Sequence, residues 1–436
     1  MSIQLISIAA LVAVFLVSTV LNVHMGALAF VATFVIGVGL ADMSQKEVLA
    51  GFPAGLFVIL VGVTFLFAIA KANGAIDWVV DSAVALVRGR VWALPWIMFL
   101  IAAGLAGIGA VPPAAVAIVA PTAMRLAQRY QISPLLMGLM VANGVSAGEF
   151  SPIGLFGIIV NDVAVDNGVE SSPILLFLSC FLVNTVLCLA LYTVINQRAR
   201  SSSRSDDHGV GGPSTSTPHP DGIGLQVVDA EVALAVRPPM TRSIAATLTG
   251  LVAMVGIVMV TDLDIGFVAM TLAVVLSIVS PGAAKEALPK IAWPSVFLIV
   301  GIVTYVNLLQ ELGTVIYVSD GVSHLNSPLL IALLICVIGA VVSAFASTTG
   351  ILGALVPLAV PFLLSGDVSS VAMIIALSLA SSIVDSSPFS TSGALIVANT
   401  AEEDRDRVLS QLLRWGLAMI VAAPVMAWAL FVLPGW

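Results

Sequence analysis

The chain has 436 residues, 60% of them hydrophobic and only 9% charged. That balance excludes a soluble domain or a nucleic-acid-binding surface and specifies an all-α polytopic membrane protein. The formal net charge of −8 says little about partners, because in such a chain the distribution of lysine and arginine over the loops decides orientation.

Apolar runs of spanning length occur at 3–21, 25–41 and 54–70. The first lacks a basic segment and a small-residue cleavage site, and reads as a retained span. Residues 75–90 differ: Asp77, Asp81 and Arg88 share one helical face and Ile76, Val79, Val80, Ala83 and Val87 the other, the pattern of an interfacial amphipathic helix. Two apolar arms follow, 92–109 and 113–129, joined through Gly109, Val111, Pro112 and Pro113. Proline fits the first turn of a helix, and the pair of arms predicts a re-entrant hairpin. A helix over 134–164, interrupted at Gly148 to Pro152, and a span at 173–195 complete a first unit, 1–196. Residues 197–241 are rich in Ser, Gly and Pro and read as a flexible linker.

The second unit, 242–436, repeats this order. Spans are predicted at 243–260, 263–280 and 294–310, with a weaker interfacial segment at 312–326. A hairpin with arms 328–345 and 350–364 surrounds the tip Ser347, Thr348, Thr349 and Gly350. An interrupted helix over 369–399 and a last span at 408–432 follow. Cys180, Cys188 and Cys336 lie in apolar runs without metal-ligand spacing and read as core residues. Asn143, Asn184 and Asn307 read as interhelical hydrogen-bonding residues.

The interruption in the second unit, Ser381 to Gly393, reads SSIVDSSPFSTSG; an aspartate, a proline and seven hydroxyl residues cannot lie in hydrocarbon as an ordinary helix. Ala147 to Gly157, AGEFSPIGLFG, aligns with Ile383 to Gly393 at a constant offset of 236. Glu149 then falls on Asp385, Ser151-Pro152 on Ser387-Pro388, Gly157 on Gly393 and Ser146 on Ser382. Gly62 and Gly74 match Gly301 and Gly313. Paired, interrupted apolar segments in corresponding halves mark the binding site of a secondary transporter.

If each unit crosses five times and its hairpin re-enters without crossing, the units are inverted. With both termini outside and the linker cytoplasmic, fifteen of the 16 cationic residues fall on the cytoplasmic side and only Lys46 outside. The hairpin tips then meet the two breaks near the midplane. Half-helix N-termini favour an anion there, and unwound carbonyls and opposed C-termini favour small cations. Substrate-facing candidates are Ser151, Pro152, Ser347, Thr348, Thr349, Ser387, Pro388, Ser390 and Thr391; candidates for coupling a cation are Ser146, Gly148, Glu149, Ser382, Asp385 and Ser386. No lysine or arginine accompanies the two acids, so a bound dianion requires protons on them or metal cations between them. No cofactor beyond Na⁺ or H⁺ is implied.

MGALAF at 25, GFPAGLF at 51, LFAIA at 66, ALVRGR at 85, PAAVAIVAP at 113, MGLMV at 137 and FSPI at 150 make most of residues 1–190 similar to the MatC-type dicarboxylate (malonate) carriers. The repeat with two hairpins and two broken helices also resembles the divalent anion/sodium symporters of the ion transporter superfamily. That resemblance implies a homodimer in the inner membrane, with an elevator motion of hairpins, broken helices and last spans against the remaining spans. In that group the tips carry Ser-Asn-Thr and the breaks Thr-Pro, which contact sodium and substrate carboxylates. Here Ser347-Thr348-Thr349 stands at the second tip, Val111-Pro112-Pro113 replaces the first, and the breaks carry Ser-Pro. Glu149 is then the candidate for a replacement ligand or a protonatable group. The leading expectation is a Na⁺- or H⁺-coupled carrier of malonate or C4-dicarboxylates; the alternatives are an exchanger of Na⁺, H⁺ or an oxyanion and, more remotely, an intramembrane aspartyl hydrolase using the two acids.

Overall fold

A computed structural model describes residues 2–434 except 22, 87–89, 167, 206–239, 262, 315–316, 318–326, 346–351, 353–355, 357–358, 361 and 364–367. Most of the linker, most of the second interfacial segment and the predicted tip Ser347, Thr348, Thr349 and Gly350 therefore lie outside the described residues.

The first half comprises α1 (Ile3–Leu21), α2 (Met25–Gly37), α3 (Gln45–Ala50), α4 (Ala54–Ala72), α5 (Ala75–Leu86), α6 (Leu94–Gly107), α7 (Pro112–Arg129), α8 (Pro134–Gly148), α9 (Leu155–Asp166) and α10 (Pro173–Ser205). The second comprises α11 (Arg242–Val260), α12 (Ile265–Val279), α13 (Pro281–Ala287), α14 (Trp293–Glu311), α15 (Pro328–Phe345), α16 (Ser370–Ile383), α17 (Thr391–Asn399) and α18 (Glu402–Ala427), which ends in a π turn, Trp428–Val432. Each predicted span coincides with an apolar helix, and each interrupted one with a pair.

Two boundaries and two short helices differ from the sequence reading. α10 continues to Ser205 instead of stopping at 195. α18 starts at Glu402, because Glu402, Glu403 and Asp404 suit the positive end of a helix and allow its first turn to form outside the apolar run. The short helices α3 and α13 were hidden by their length; α3 is fixed by a capping box in which Ser44 Oγ accepts from Glu47 N–H and Glu47 returns the bond to Ser44 N–H.

Two layers result. In one, α2 lies along α14 and α4 along α12. The contacts are backbone to backbone at glycine: a Cβ on Gly26 would sit 2.1 Å from Phe297 O, one on Gly301 2.3 Å from Gly26 O, and one on Gly62 2.6 Å from Gly266 O. Close approach through small residues is how membrane helices gain packing without a hydrophobic driving force. Gly26 meets Phe297 and Gly37 meets Leu308, so α2 and α14 run the same way; Ile59 meets Gly266 and Gly62 meets Met270, so α4 and α12 do too. Consecutive spans alternate in direction, so a second span of one half parallel to the third of the other is the arrangement expected of inverted halves.

The ends of this layer correspond as well. Ser7 Oγ lies 2.9 Å from Thr314 Oγ1, and Tyr305 OH donates to Ser7 O at 2.6 Å, tying the start of α1 to the end of α14. At the opposite end Asn73 Nδ2 donates to Thr247 Oγ1 at 2.6 Å, tying the end of α4 to the start of α11. Gly74 and Gly313 stop α4 and α14 at φ +81° and +66°, a conformation that favours glycine. α5 lies across the end of α4 with Ala75, Ile76 and Val80 buried and Asp77 paired to Lys71 at 2.6 Å, the amphipathic helix the sequence predicts.

The second layer is built on α8 and α16. α8 is wrapped by α6, α7 and α10, and α16 by α15 and α18, while α17 crosses to pack on α7. Asn143 and Asn184 do not bridge helices as expected. Each donates to the carbonyl four residues back in its own helix, Leu139 O at 2.8 Å and Cys180 O at 2.9 Å, the nearest acceptor available to a short amide on a helix. Asn307 does bridge, to Gly51 O at 2.7 Å.

Candidate functional site

α8 ends at Gly148 and α9 begins at Leu155; α16 ends at Ile383, a 3₁₀ turn covers Val384–Ser386, and α17 begins at Thr391. The two breaks meet where Ser146 Oγ donates to Ser382 O at 3.3 Å. The separation of these two residues is the repeat offset, 236, so the halves face each other at equivalent positions. Glu149 and Asp385 each follow three residues after this contact.

Equivalent residues shape both breaks. Ser151 Oγ donates to Gly107 O at the end of the first arm α6, and Ser387 Oγ donates to Ala344 O near the end of α15 at 3.3 Å. Each Ser-Pro serine therefore staples its own hairpin to its own break. A Cβ on Gly157 would lie 1.9 Å from Ser151 O and one on Gly393 1.9 Å from Ser387 O, so at both positions the chain folds back onto the serine carbonyl in a way only glycine permits. The first tip turns at Gly109, φ +110°, against Val63 of α4 and Ile153 O of the first break, and Val111 leads extended into Pro112, with Pro113 next in the first turn of α7.

The breaks differ in chemistry. In the second, Ser390 caps α17, accepting from Gly393 N–H at 3.1 Å and donating to Ser387 O at 2.8 Å, with a further contact to Asp385 O. Ser392 Oγ donates to Asp385 Oδ2 at 2.7 Å, and Trp415 Nε1 donates to Ser386 Oγ at 2.8 Å. Asp385 and Pro388 are half-buried, Thr391 is exposed and Phe389 is 60% exposed. In the first break, Phe156 and Gly157 N–H both donate to Glu149 O at 3.0 Å. Glu149 is 1% exposed and its Oε1 has no partner.

The structure thus brings Ser146, Gly148, Glu149, Ser151 and Pro152 together with Ser382, Asp385, Ser386, Ser387, Pro388 and Ser390. The hydroxyls of Ser151, Ser387 and Ser390 are engaged in holding the backbone. Three contributors were not anticipated: Ser392, Trp415 and Ser343, whose Oγ donates to Ser381 O at 2.7 Å. All three act across a break or from another helix, where spacing carries no signal. A fourth feature was legible. Gly144 and Gly148 form a small-x-x-x-small pair, and a Cβ on them would lie 2.5 Å from Phe99 O and 2.0 Å from Ala103 O of α6.

Residues 1–149 match the family described as "Dicarboxylate carrier protein MatC N-terminus", and residues 255–435 match the "Citrate transporter" family. No curated protein matches the chain. Among solved structures, the Alcanivorax borkumensis YdaH transporter, described as having an unusual topology, is similar in fold with a TM-score of 0.54 over 90% of this chain and 88% of that one, at 15% identity. Two transporter families, matched over 1–149 and 255–435, set aside the hydrolase reading. The chain is a multi-pass membrane transporter, similar over its first 149 residues to the MatC-type dicarboxylate carriers and over 255–435 to the citrate transporters.

Proposed function

We propose that the protein is a secondary carrier that moves a small dicarboxylate, of malonate or C4 type, together with Na⁺ or H⁺. The observation that carries this reading is the meeting of two equivalent breaks at Ser146 and Ser382, each with one acid and no basic residue. The start of α17 offers orphan N–H groups to a carboxylate, and Asp385 with its serine neighbours offers oxygens to a cation. A dianion entering alone against −100 mV would oppose about 4.6 kcal/mol, at about 2.3 kcal/mol per charge, so coupling to cations is what permits accumulation.

The motion is an elevator movement of the hairpin and broken-helix layer against the α2, α4, α12 and α14 layer. Support comes from a cleft of about 590 Å³ between the layers, lined by Leu56, Asp162, Val163, Asp264 and Val306. The cleft leaves that part of the boundary between the layers unpacked. The working unit is a homodimer in the cell membrane, with the cation-rich loops in the cytoplasm.

Counterflow in proteoliposomes tests the reading. Vesicles loaded with unlabelled malonate or succinate are expected to take up the labelled acid transiently against its gradient. Absence of counterflow for every dicarboxylate, with Na⁺/H⁺ exchange intact, would replace the reading by that of an ion exchanger.

A further inference from the structure

The two breaks occupy equivalent places and present opposite environments. Asp385 sits half-buried among hydroxyls, one of which donates to it. Glu149 is 1% exposed with its Oε1 unpartnered, in a break whose Phe150, Ile153 and Phe156 are all buried, the two rings with centroids 5.7 Å apart. Leaving an ionised carboxylate unpaired in such surroundings is far costlier than neutralising it.

Two neutralising partners are conceivable, a metal cation and a proton. A metal cation needs several converging oxygens. The first tip, 108–113, has no side-chain oxygen, the hydroxyl of Ser151 is already donated to Gly107 O, and the break's carbonyls are engaged, Glu149 O by Phe156 and Gly157 N–H and Ser151 O by Gly154 N–H. No lysine, arginine or histidine occurs in 91–124, 130–197 or 325–404. Of the elements packed against α8, α6 carries no titratable group, α7 carries only Arg125 and Arg129 in its last turns, and α17 carries none. α10 brings the buried thiols Cys180 and Cys188, with Tyr192, Arg198, Arg200 and Arg204 in its C-terminal part; α16 and its following turn bring Asp385; and α18 brings Glu402, Glu403, Asp404, Arg405, Asp406 and Arg407 in its first two turns and, beyond them, Arg414, which is exposed.

We infer that Glu149 is a proton site: it carries one coupling proton through the membrane with the dicarboxylate, and the Asp385 break serves the anion and any second cation. This rests on the carrier reading above. The proton adds to the Glu149 carboxylate on one side and leaves it on the other, so each cycle moves one positive charge with the substrate. Release requires the α6–α7 tip to part from the break, which the Ser151 to Gly107 staple opposes.

The test uses the full chain in proteoliposomes with a pH dye sealed inside, sodium absent, and the potential clamped with potassium and valinomycin. Added malonate or succinate is expected to acidify the lumen of wild-type vesicles, and Glu149→Gln to reduce this to the level of protein-free liposomes. In infrared difference spectra the wild type is expected to show the deuterium-sensitive C=O stretch of a protonated acid, absent in Glu149→Gln and displaced in Glu149→Asp. Dicarboxylate uptake by the wild type without acidification, or an acid band unchanged in Glu149→Gln, would overturn the inference. Absence of counterflow in the wild type with the Glu149 band present would overturn the carrier reading and leave the protonated site standing.

Discussion

At the scale of residues, chemistry concentrates on one carboxylate that is half-buried among hydroxyls and one that is buried without a partner on its Oε1. Asp385→Asn is expected to abolish concentrative uptake while the protein still folds, since removing an acid from a membrane helix lowers its insertion cost by roughly 2.5–3.5 kcal/mol; unchanged accumulation by the variant would make Asp385 structural. Ser392 supplies a hydrogen bond to Asp385 at 2.7 Å, and bonds to charged groups contribute about 1.5–3 kcal/mol. Ser392→Ala is therefore expected to weaken the apparent affinity for the coupling cation about tenfold, roughly 1.4 kcal/mol, read from the cation dependence of uptake. Both acids were legible in the sequence, because an ionisable side chain inside an apolar run stands out whatever surrounds it. Their difference was not, since the burial of Glu149 comes from packing between elements distant in sequence, which spacing within one segment does not carry.

At the scale of elements, the first broken helix is held to its hairpin arm by Ser151 and by the Gly144 and Gly148 contacts, and the second by Ser387 and by Ser343 of the arm. Ser151→Ala and Ser387→Ala each remove a hydrogen bond from break to hairpin arm, at about 0.5–1.5 kcal/mol. Amide exchange at 108–111 is expected to rise in Ser151→Ala, and unaltered protection there would contradict the staple. Gly148→Val forces side-chain atoms onto Ala103 O, where even a Cβ would stand 2.0 Å away. Overpacking of this kind costs about 1–3 kcal/mol or more, so a lower unfolding temperature in detergent is expected, with Gly55→Val, whose Cβ meets nothing within 4 Å, as the control. The spans and breaks could be read from hydropathy and the 236-residue offset because both are properties of single segments. α3 was missed although Ser44 and Glu47 spell out its cap, and the partners of Asn143 and Asn184 were misjudged because a helix's own carbonyl competes with a neighbour's.

At the scale of the whole molecule, the parallel runs of α2 with α14 and α4 with α12 place Lys71, Arg242 and Lys285 toward one end and Lys46 toward the other. Single cysteines replacing Lys285 and Lys46 in a cysteine-free background are expected to react with impermeant thiol reagents from the cytoplasmic and the outer face respectively; labelling of both from one face would contradict the inverted arrangement. On the proposed function, two acids without a basic partner make dicarboxylate transport depend on cations. The most direct measurement of that dependence is accumulation of labelled malonate or succinate by proteoliposomes under an imposed inward H⁺ or Na⁺ gradient. Accumulation above equilibrium with the gradient, and none once both ions are equilibrated, is the predicted result; accumulation with both ions equilibrated and no exchange anion inside would contradict it.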